Sequence, residues 1–399
     1  MTLADKIFMD KRKKIVPFIV VVTLLFYGCV EPFDIETENF ESILVVDAKI
    51  SNELKQHSIK LSRTFQLNQK SRSIESNAEV EIKDSQGNSY YFEENDEGEY
   101  LSESIFRVLP DIEYTLKITL ANGKKYSSES VMPPPEGITS QMKVNRFVND
   151  LGEDGIGIFV DGASKDENVK FIKYEYTETY KIVAPYWTPL DIIIVSRWPP
   201  VFDFIPKTTE QRICYRTEYS NDIIQAKTTD VIDGKLSDFL VRFIAKDDSR
   251  ILNRYSIEVN QFIQTQEAYS FFETLNTFSS SENLFSQVQT GFIDGNIRSE
   301  SDAEEKVLGY FEVATVSKKR IFINFNDYFD GEPLPSFQTP CDFNSPLPEF
   351  KGQSPLVDAL DTGLYKWAGE YEGPYTLVPK PCGDCTELGS NIVPEFWKD

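Results

Sequence analysis

The sequence predicts a mainly β fold: two β-sandwich domains of immunoglobulin-like type, the second larger than the first. Three observations support this fold class. Apolar and polar residues alternate with a period of two over many short segments, and turn-forming residues separate these segments. Three consecutive prolines interrupt the pattern once, and a single stretch has helical periodicity. The 399 residues are 40% hydrophobic, which is enough for more than one core.

The first 28 residues have the layout of a bacterial lipoprotein signal peptide. A basic cluster at residues 11–14 precedes an apolar run at 15–27, which is too short for a comfortable membrane span. Gly28 and Cys29 close this run, so we expect cleavage after residue 28 and lipidation of Cys29. The alternative interpretation is an N-terminal anchor helix, or a cleaved secretory signal with an incidental cysteine.

Residues 29–41 form an acidic segment, interrupted by Pro32, directly behind this cysteine. We expect a solvated tether, because an anionic lipid surface repels such a segment. The segment is also similar to the acidic export signal of surface-exposed lipoproteins of Bacteroidota. That similarity predicts a lipid-anchored protein on the outward face of the cell outer membrane. A plain solvated linker is the alternative.

Residues 42–135 are predicted to form the N-terminal β-sandwich domain. "SILVVDAKI" indicates a buried strand, and "HSIKLSRTF" alternates like a second strand. His57, the only histidine, is interpreted as a surface residue of that strand. "EYTLKITLANGKKYSS" predicts a hairpin with a type I′ turn at Asn122 and Gly123.

The second domain, 136–399, begins after "MPPPEG", because consecutive prolines cannot continue a central strand ladder. "KFIKYEYTETYKIV" and "RYSIEVNQFIQ" indicate strands. One amphipathic helix is predicted around 265–285, with Thr265 as its N-cap. After Asp327 the chain becomes a loop-rich tail.

The segment "APYWTPLDIIIVSRWPPVFDFIPK", residues 184–207, is predicted to be a long loop inserted between strands. It carries bulky aromatic side chains that a loop does not need for its own folding. We therefore identify Tyr186, Trp187, Trp198 and Phe202 as candidates for contact with a partner or ligand. The alternative is that these side chains pack onto their own domain as a lid.

Cys214, Cys341, Cys382 and Cys385 remain once Cys29 is assigned to the anchor. An even number of cysteines in an exported protein favours disulfides that pin the tail. We favour bridges that join Cys214 and Cys341 each to one member of the "PCGDC" pair. A redox pair or a zinc site formed by the scattered cysteines is the alternative.

Composition excludes some functions and leaves others open. The formal net charge of −23 would repel phosphates, so a nucleic-acid-binding role is excluded. One histidine disfavours nucleophilic triads, and no catalytic residue, metal ligand or cofactor site is identified. Acidic residues at 94–99 do not complete a calcium loop and are interpreted as a solvated turn.

Several blocks together resemble a known family. They are "EPFD" after the cysteine, "LVVDAKISN", "IKLSRT", "YTETYKI", "CYRTEYS", "EAYSFFETL", "VLGYFEVATVSKKRIFI" and "PCGDCTELGSN" followed by "PEFW". Their order resembles the Bacteroidota outer-membrane lipoproteins of the domain-of-unknown-function 4249 family. The resemblance implies a non-enzymatic surface lipoprotein that assists a TonB-dependent transporter, in nutrient capture for example. A stand-alone glycan- or peptide-binding protein, or a carboxylate-based hydrolase, is the alternative.

Overall fold

The computed structural model describes residues 42–65, 73–163, 169–228, 236–280 and 292–399. The predicted signal peptide, the acidic tether and Cys29 lie outside these described residues. Most of the regular structure within them is strand, which confirms the mainly β fold class. The described residues from Ile43 onward belong to one compact unit.

The N-terminal part of the chain contributes eight strands to one sheet. They are β1 (Leu44–Ser51), β2 (Ser58–Arg63), β3 (Ser73–Ile74), β4 (Glu79–Asp84), β5 (Ser89–Glu94), β6 (Glu99–Ser102), β7 (Tyr114–Thr119) and β8 (Lys125–Ser128). The predicted alternation is present: in β7, Tyr114, Leu116 and Ile118 are buried, and the residues between them are more exposed. Such alternation places one side of each strand in a core, so these strands enclose the first hydrophobic core.

The hairpin between β7 and β8 is confirmed, but its predicted turn type is wrong. A type I′ turn needs positive φ at both central residues. Among Asn122 and Gly123, only Gly123 has positive φ, at +83°. The Leu120 N–H donates to the carbonyl of Lys124 at 2.9 Å, which leaves three loop residues rather than two. The extra residue lets Gly123 alone supply the left-handed conformation.

His57 is buried, so its interpretation as a surface residue is wrong. Only 1% of the residue is exposed. Its Nε2 lies 3.1 Å from the carbonyl oxygen of Phe106, and the two rings are 4.6 Å apart. A carbonyl only accepts, so Nε2 carries the proton. The alternation explains the burial, because position 57 has the same parity as the buried Ile59 and Leu61.

The remaining part of the chain contributes thirteen strands among the described residues. They are β9 (Ile138–Val148), β10 (Asp154–Ala163), β11 (Phe171–Val183), β12 (Leu190–Arg197), β13 (Pro200–Pro206), β14 (Ile213–Tyr219), β15 (Ile224–Lys227), β16 (Leu236–Ala245), β17 (Arg254–Ile263), β18 (Ile297–Ser299), β19 (Val307–Asn324), β20 (Tyr365–Gly369) and β21 (Thr376–Pro379). Strands β9, β10 and β16 form a three-stranded sheet. Ile156 and Ile158 of this sheet share the second hydrophobic core with Tyr174 and Ile257 of β11 and β17, which is a sandwich-like arrangement.

Strand β19 belongs to both cores. The sheet order is β14-β11-β17-β19-β1-β2-β6-β5-β4-β7-β8-β18, with β3 and β15 paired at its side. Val307 to Ala314 pair with β1 in parallel, and the rest of β19 pairs with β17 in antiparallel fashion. Phe311 therefore lies in the first core and Ile323 in the second. The division into 42–135 and 136–399 stays a prediction, and the two stretches share this sheet.

The predicted helix is present as α1 (Gln266–Ser280); residues 281–285 of the prediction lie outside the described part. The N–H of Ala268 donates to Thr265 Oγ1 at 3.2 Å, so Thr265 caps the helix as expected. Ala268 and Phe271 are buried against Tyr310 of β19. Two short helices, α2 (Pro355–Asp361) and α3 (Lys380–Gly383), lie in the C-terminal tail.

A buried ionic network connects β1, β11 and β19. Lys173 Nζ lies 2.6 Å from Glu312 Oε2 and 3.5 Å from Glu175 Oε1, and Lys49 Nζ lies 2.6 Å from Glu175 Oε1. Gln264 Nε2 donates to the other oxygen of Glu312 at 2.6 Å. Burial by itself lowers the pKa of Lys173, but the carboxylates of Glu312 and Glu175 outweigh it and raise that pKa. The buried lysine therefore stays charged.

Candidate partner-binding hairpin

The segment predicted to be a loop contains a β-hairpin instead. Strands β12 and β13 pair from Leu190 with Pro206 up to Arg197 with Pro200. The apolar residues of "DIIIV" and "VFDFI" favour strands, and prolines at a strand end remove no ladder hydrogen bond. Trp198 and Pro199 form the turn. The loop prediction is wrong because the β-branched and aromatic residues between the prolines form paired strands, and the prolines lie only at the strand ends.

One face of the hairpin packs on the C-terminal tail of the same chain. The ring of Phe204 lies 4.6 Å from that of Trp367 on β20, between ring centroids. The ring of Phe202 lies 5.3 Å from that of Tyr375. Phe202 is therefore half-buried, and its predicted role as a contact residue stays a prediction.

Tyr186 and Trp187 lie at the base of the hairpin, also half-buried. The N–H of Tyr186 donates to the Cys382 carbonyl at 2.9 Å, and its ring lies 4.9 Å from that of Phe343. Trp187 packs against the second core, and its Nε1 has no hydrogen-bond partner among the described residues. Both contacts fit the alternative in which these aromatics cover their own domain.

The other face of the hairpin is exposed and largely apolar, with Asp203 between Val201 and Ile205 on β13. The exposed fractions are 60% for Val195, 62% for Trp198, 46% for Val201 and 43% for Ile205. Val201 and Ile205 alternate along β13 with Phe202 and Phe204, so one strand directs its aromatic residues inward and its aliphatic residues outward. We call Val195, Trp198, Val201 and Ile205 the apolar face. Of these four, Trp198 was predicted from the sequence as a contact residue; the alternation in "VFDFIP" is the signal that indicates Val201 and Ile205.

The tip of the hairpin is fixed to helix α2. Arg197 donates through Nη1 and Nη2 to the two oxygens of Asp361, the second at 2.9 Å. This bidentate hydrogen bonding lowers the pKa of the Asp361 carboxyl below its ordinary value. Both side chains are exposed, so the pair orients the tip and contributes little to global stability.

Two disulfides fix the tail that supports the hairpin. Cys341 is bonded to Cys382, and Cys214 on β14 is bonded to Cys385, with S–S distances of 2.06 and 2.05 Å. Each upstream cysteine is thus joined to one member of the "PCGDC" pair, as the sequence analysis favours. The two cysteines of that pair lie in different bridges, so this structure contains neither a Cys382–Cys385 redox disulfide nor a zinc thiolate set.

The described part of the chain contains no group of three or more His, Cys, Asp or Glu side chains that could hold a metal ion. In the run at 94–99, Asn95 Oδ1 accepts from the N–H groups of Glu97 and Glu99, which forms the turn between β5 and β6. None of the described helices has both the length and the apolar character needed to cross a bilayer.

Fold and site together define a mainly β protein that carries an exposed apolar hairpin on a disulfide-fixed tail. The sequence profile of the family described as "Domain of unknown function (DUF4249)" matches residues 30–320. That match covers most of the chain, so the protein belongs to this family. The comparison with curated proteins gives no match. The matched region includes the hairpin and ends within β19, and the tail that supports the hairpin follows it.

Proposed function

We propose that this chain is a non-enzymatic surface lipoprotein that binds a TonB-dependent transporter barrel through the apolar face of the hairpin. The exposure of Val195, Trp198, Val201 and Ile205 on one ordered hairpin carries this proposal. Exposed apolar groups that cluster on one element are typical of interaction sites, whereas singly scattered ones are common on any protein surface. Tryptophan at the tip suits a binding role because it supplies a large apolar area with few rotatable bonds.

The hairpin is held in place before a partner arrives. Ring contacts of Phe202 and Phe204, the Arg197–Asp361 pair and the Cys341–Cys382 bridge all restrain it. Restraint lowers the conformational entropy that binding must remove, so more of the contact energy appears as affinity.

The N-terminal sequence supports the proposed location. Two or three acyl chains on Cys29 would hold the protein at a bilayer, since each buried methylene contributes about 0.8 kcal/mol. The acidic tether, and a net charge of −23, favour a body that stays in water away from anionic lipid. The Cys29→Ser variant should therefore leave the membrane fraction. Complete retention of that variant with membranes would contradict the anchoring part of the proposal.

A capture experiment tests the binding part. Affinity-tagged full-length protein is recovered from detergent-solubilised outer membranes at low salt, and co-purified barrels are identified by mass spectrometry. The Trp198→Ala/Ile205→Ser double variant should recover about tenfold less transporter, as expected for removal of interface anchors. Leu151→Ser is the matched control, because Leu151 is 84% exposed in the turn of a different hairpin, between β9 and β10. Equal recovery by both variants, or no barrel with the wild-type protein, would refute the proposal.

A further inference from the structure

A concave site lies at the edge of the second core, and none of its lining residues belongs to the hairpin strands. It is a cleft of about 550 Å³, within the range of small-ligand pockets. Strands β11 and β14 supply one wall, and β16 with the 3-10 turn at Ser249–Ile251 supplies the other. Its lining residues are Tyr176, Glu178, Glu218, Tyr219, Asn221, Asp222, Arg242 and Arg250.

The floor of the cleft is a buried, fully bonded carboxylate. Glu178 is 3% exposed and accepts from the Tyr255 hydroxyl at 2.7 Å. Arg242 donates to its two oxygens through Nη2 at 3.2 Å and Nε at 3.3 Å. Burial and the Glu178 carboxylate raise the pKa of Tyr255 well above its ordinary value, so its hydroxyl keeps its proton and remains a donor. The floor is therefore rigid before any ligand arrives.

The rim offers both donors and acceptors. Arg250 Nε lies 3.2 Å from Glu218 Oε2, and the Tyr180 hydroxyl donates to Glu218 Oε1 at 3.2 Å. The side chains of Arg242, Arg250 and Glu218 are 23%, 30% and 25% exposed, so a ligand can reach them. Asn221 adds an exposed amide.

Tyr219 provides an aromatic surface beside these polar groups. It ends β14, and 71% of the residue is exposed. An exposed tyrosine ring next to paired carboxylate and guanidinium groups offers an apolar face for stacking, with hydrogen-bonding groups around it. The exposed face of the hairpin also carries Asp203, but it has no arginine–carboxylate pairs around an aromatic ring among its strand residues 190–197 and 200–206.

The charge of the cleft selects the class of ligand. The cleft is lined by three carboxylates, of Glu178, Glu218 and Asp222, and by two guanidinium groups, of Arg242 and Arg250. Arg216 lies 2.9 Å from Glu218 and Asp248 lies 3.1 Å from Arg250, so with these partners the balance is four carboxylates to three guanidinium groups. The slight acidic excess disfavours an anion, and the scarcity of aliphatic side chains disfavours a lipid. A hydroxyl group both donates and accepts, so a polyhydroxylated neutral ligand matches the alternating acids and arginines. We propose that this cleft binds a neutral saccharide, with Tyr219 stacking on the apolar face of a sugar ring.

The test uses the purified full chain on an array of glucose, mannose and galactose oligosaccharides, with acidic oligogalacturonate and short neutral peptides beside them. Calorimetry with the best-bound neutral oligosaccharide then compares variants. Tyr219→Ala should weaken binding about tenfold, the size expected for loss of one stacked ring. Arg242→Lys keeps a positive charge beside Glu178 but loses the two-point hydrogen bond to the Glu178 carboxylate that fixes the floor of the cleft. This variant should therefore also weaken saccharide binding.

Two control variants separate this cleft from the hairpin and from exposed tyrosines elsewhere on the surface. Tyr91→Ala removes another exposed tyrosine, 55% exposed, on β5, and should leave saccharide affinity unchanged. Trp198→Ala should also leave it unchanged, because Trp198 lies on the hairpin and does not line the cleft. No binding to any neutral oligosaccharide, preference for oligogalacturonate or for peptides, or equal affinity of Tyr219→Ala and wild type would each overturn the proposal.

Discussion

Lys173→Met tests whether loss of a cation from the buried ionic network between β1, β11 and β19 destabilises the fold more than loss of a cation from an exposed ion pair. The substitution removes the cation but keeps most of the side-chain volume. Among the residues that the structure describes, Glu312, 2% exposed, would then keep the Gln264 amide at 2.6 Å as the one donor to its carboxylate. Glu175 would keep Lys49 at 2.6 Å. The substitution therefore removes the ionic partner of one buried carboxylate, that of Glu312.

Removal of one partner from a buried pair costs about 3–5 kcal/mol, because the remaining charge is left desolvated and uncompensated. The Gln264 hydrogen bond offsets part of this loss, so we expect about 3 kcal/mol for Lys173→Met. An exposed pair of nearly the same length provides the comparison: Lys60 Nζ lies 2.7 Å from Glu99 Oε1, and Lys60 is 41% exposed. Lys60→Met should cost no more than about 1 kcal/mol. The double variant Lys173→Met/Glu312→Gln should recover most of the loss, because no buried charge is left unpaired at that position.

Urea unfolding followed by tryptophan fluorescence measures these differences. With a denaturant slope of about 3 kcal/mol/M, a loss of about 3 kcal/mol lowers the midpoint by about 1 M. The slope must stay constant for the comparison to report stability. A Lys173→Met midpoint equal to that of Lys60→Met, or a double variant less stable than the single one, would refute the argument from burial.

Three further predictions concern single elements. Burial, with the positive charge of Lys55 nearby, lowers the pKa of His57 to about 4. In the unfolded chain the histidine titrates near 6.5, so the unfolded state binds the proton more readily. The folded state therefore loses stability as the pH falls from 6.5 to 4. Relative to His57→Gln, the wild-type protein should lose about 2 kcal/mol between pH 7 and pH 5 in urea titrations at the two pH values; parallel curves would contradict this. Thr265→Ala should cost about 1 kcal/mol in thermal unfolding by loss of the cap on α1, and Thr274→Ala, at an exposed position inside α1, should cost less. Replacement of Cys341 and Cys382 by serine opens a bridge of sequence separation 41 and should cost about 4 kcal/mol in urea unfolding; a loss below 1 kcal/mol would show that the tail is held by its packing instead.

Local patterns in the sequence predicted much of this fold. Alternation identified β1, β2, β7, β11 and β17, and the change to a helical period identified α1 with its Thr265 cap. The same patterns gave wrong predictions where the conformation depends on the turn geometry or on which strand lies alongside. Asn122 and Gly123 gave a correct hairpin with the wrong turn, because the sequence does not show that Leu120 pairs with Lys124.

Such local patterns do not predict which strands pair when they are far apart in the sequence. The parallel pairing of β1 with β19 joins residues more than 250 positions apart, such as Ala48 and Phe311. A two-residue period states which face of a strand is buried and does not state which strand lies beside it. The cleft beside Tyr219 could not be predicted for the same reason: Glu178 and Arg242 come from different sheets, and nothing in either local sequence links them.

The hairpin shows why a binding surface is harder to predict than a core. Both parities of β13 carry large apolar residues, aromatic at Phe202 and Phe204 and aliphatic at Val201 and Ile205, with Asp203 between the aliphatic pair. From the sequence, either face could be the buried one. Only the tail, which brings Tyr375 and Trp367 against the aromatic side, leaves the aliphatic side exposed. Folding of this chain therefore accounts for one apolar face of the hairpin, and the proposed contact with a partner would account for the aliphatic residues on the other.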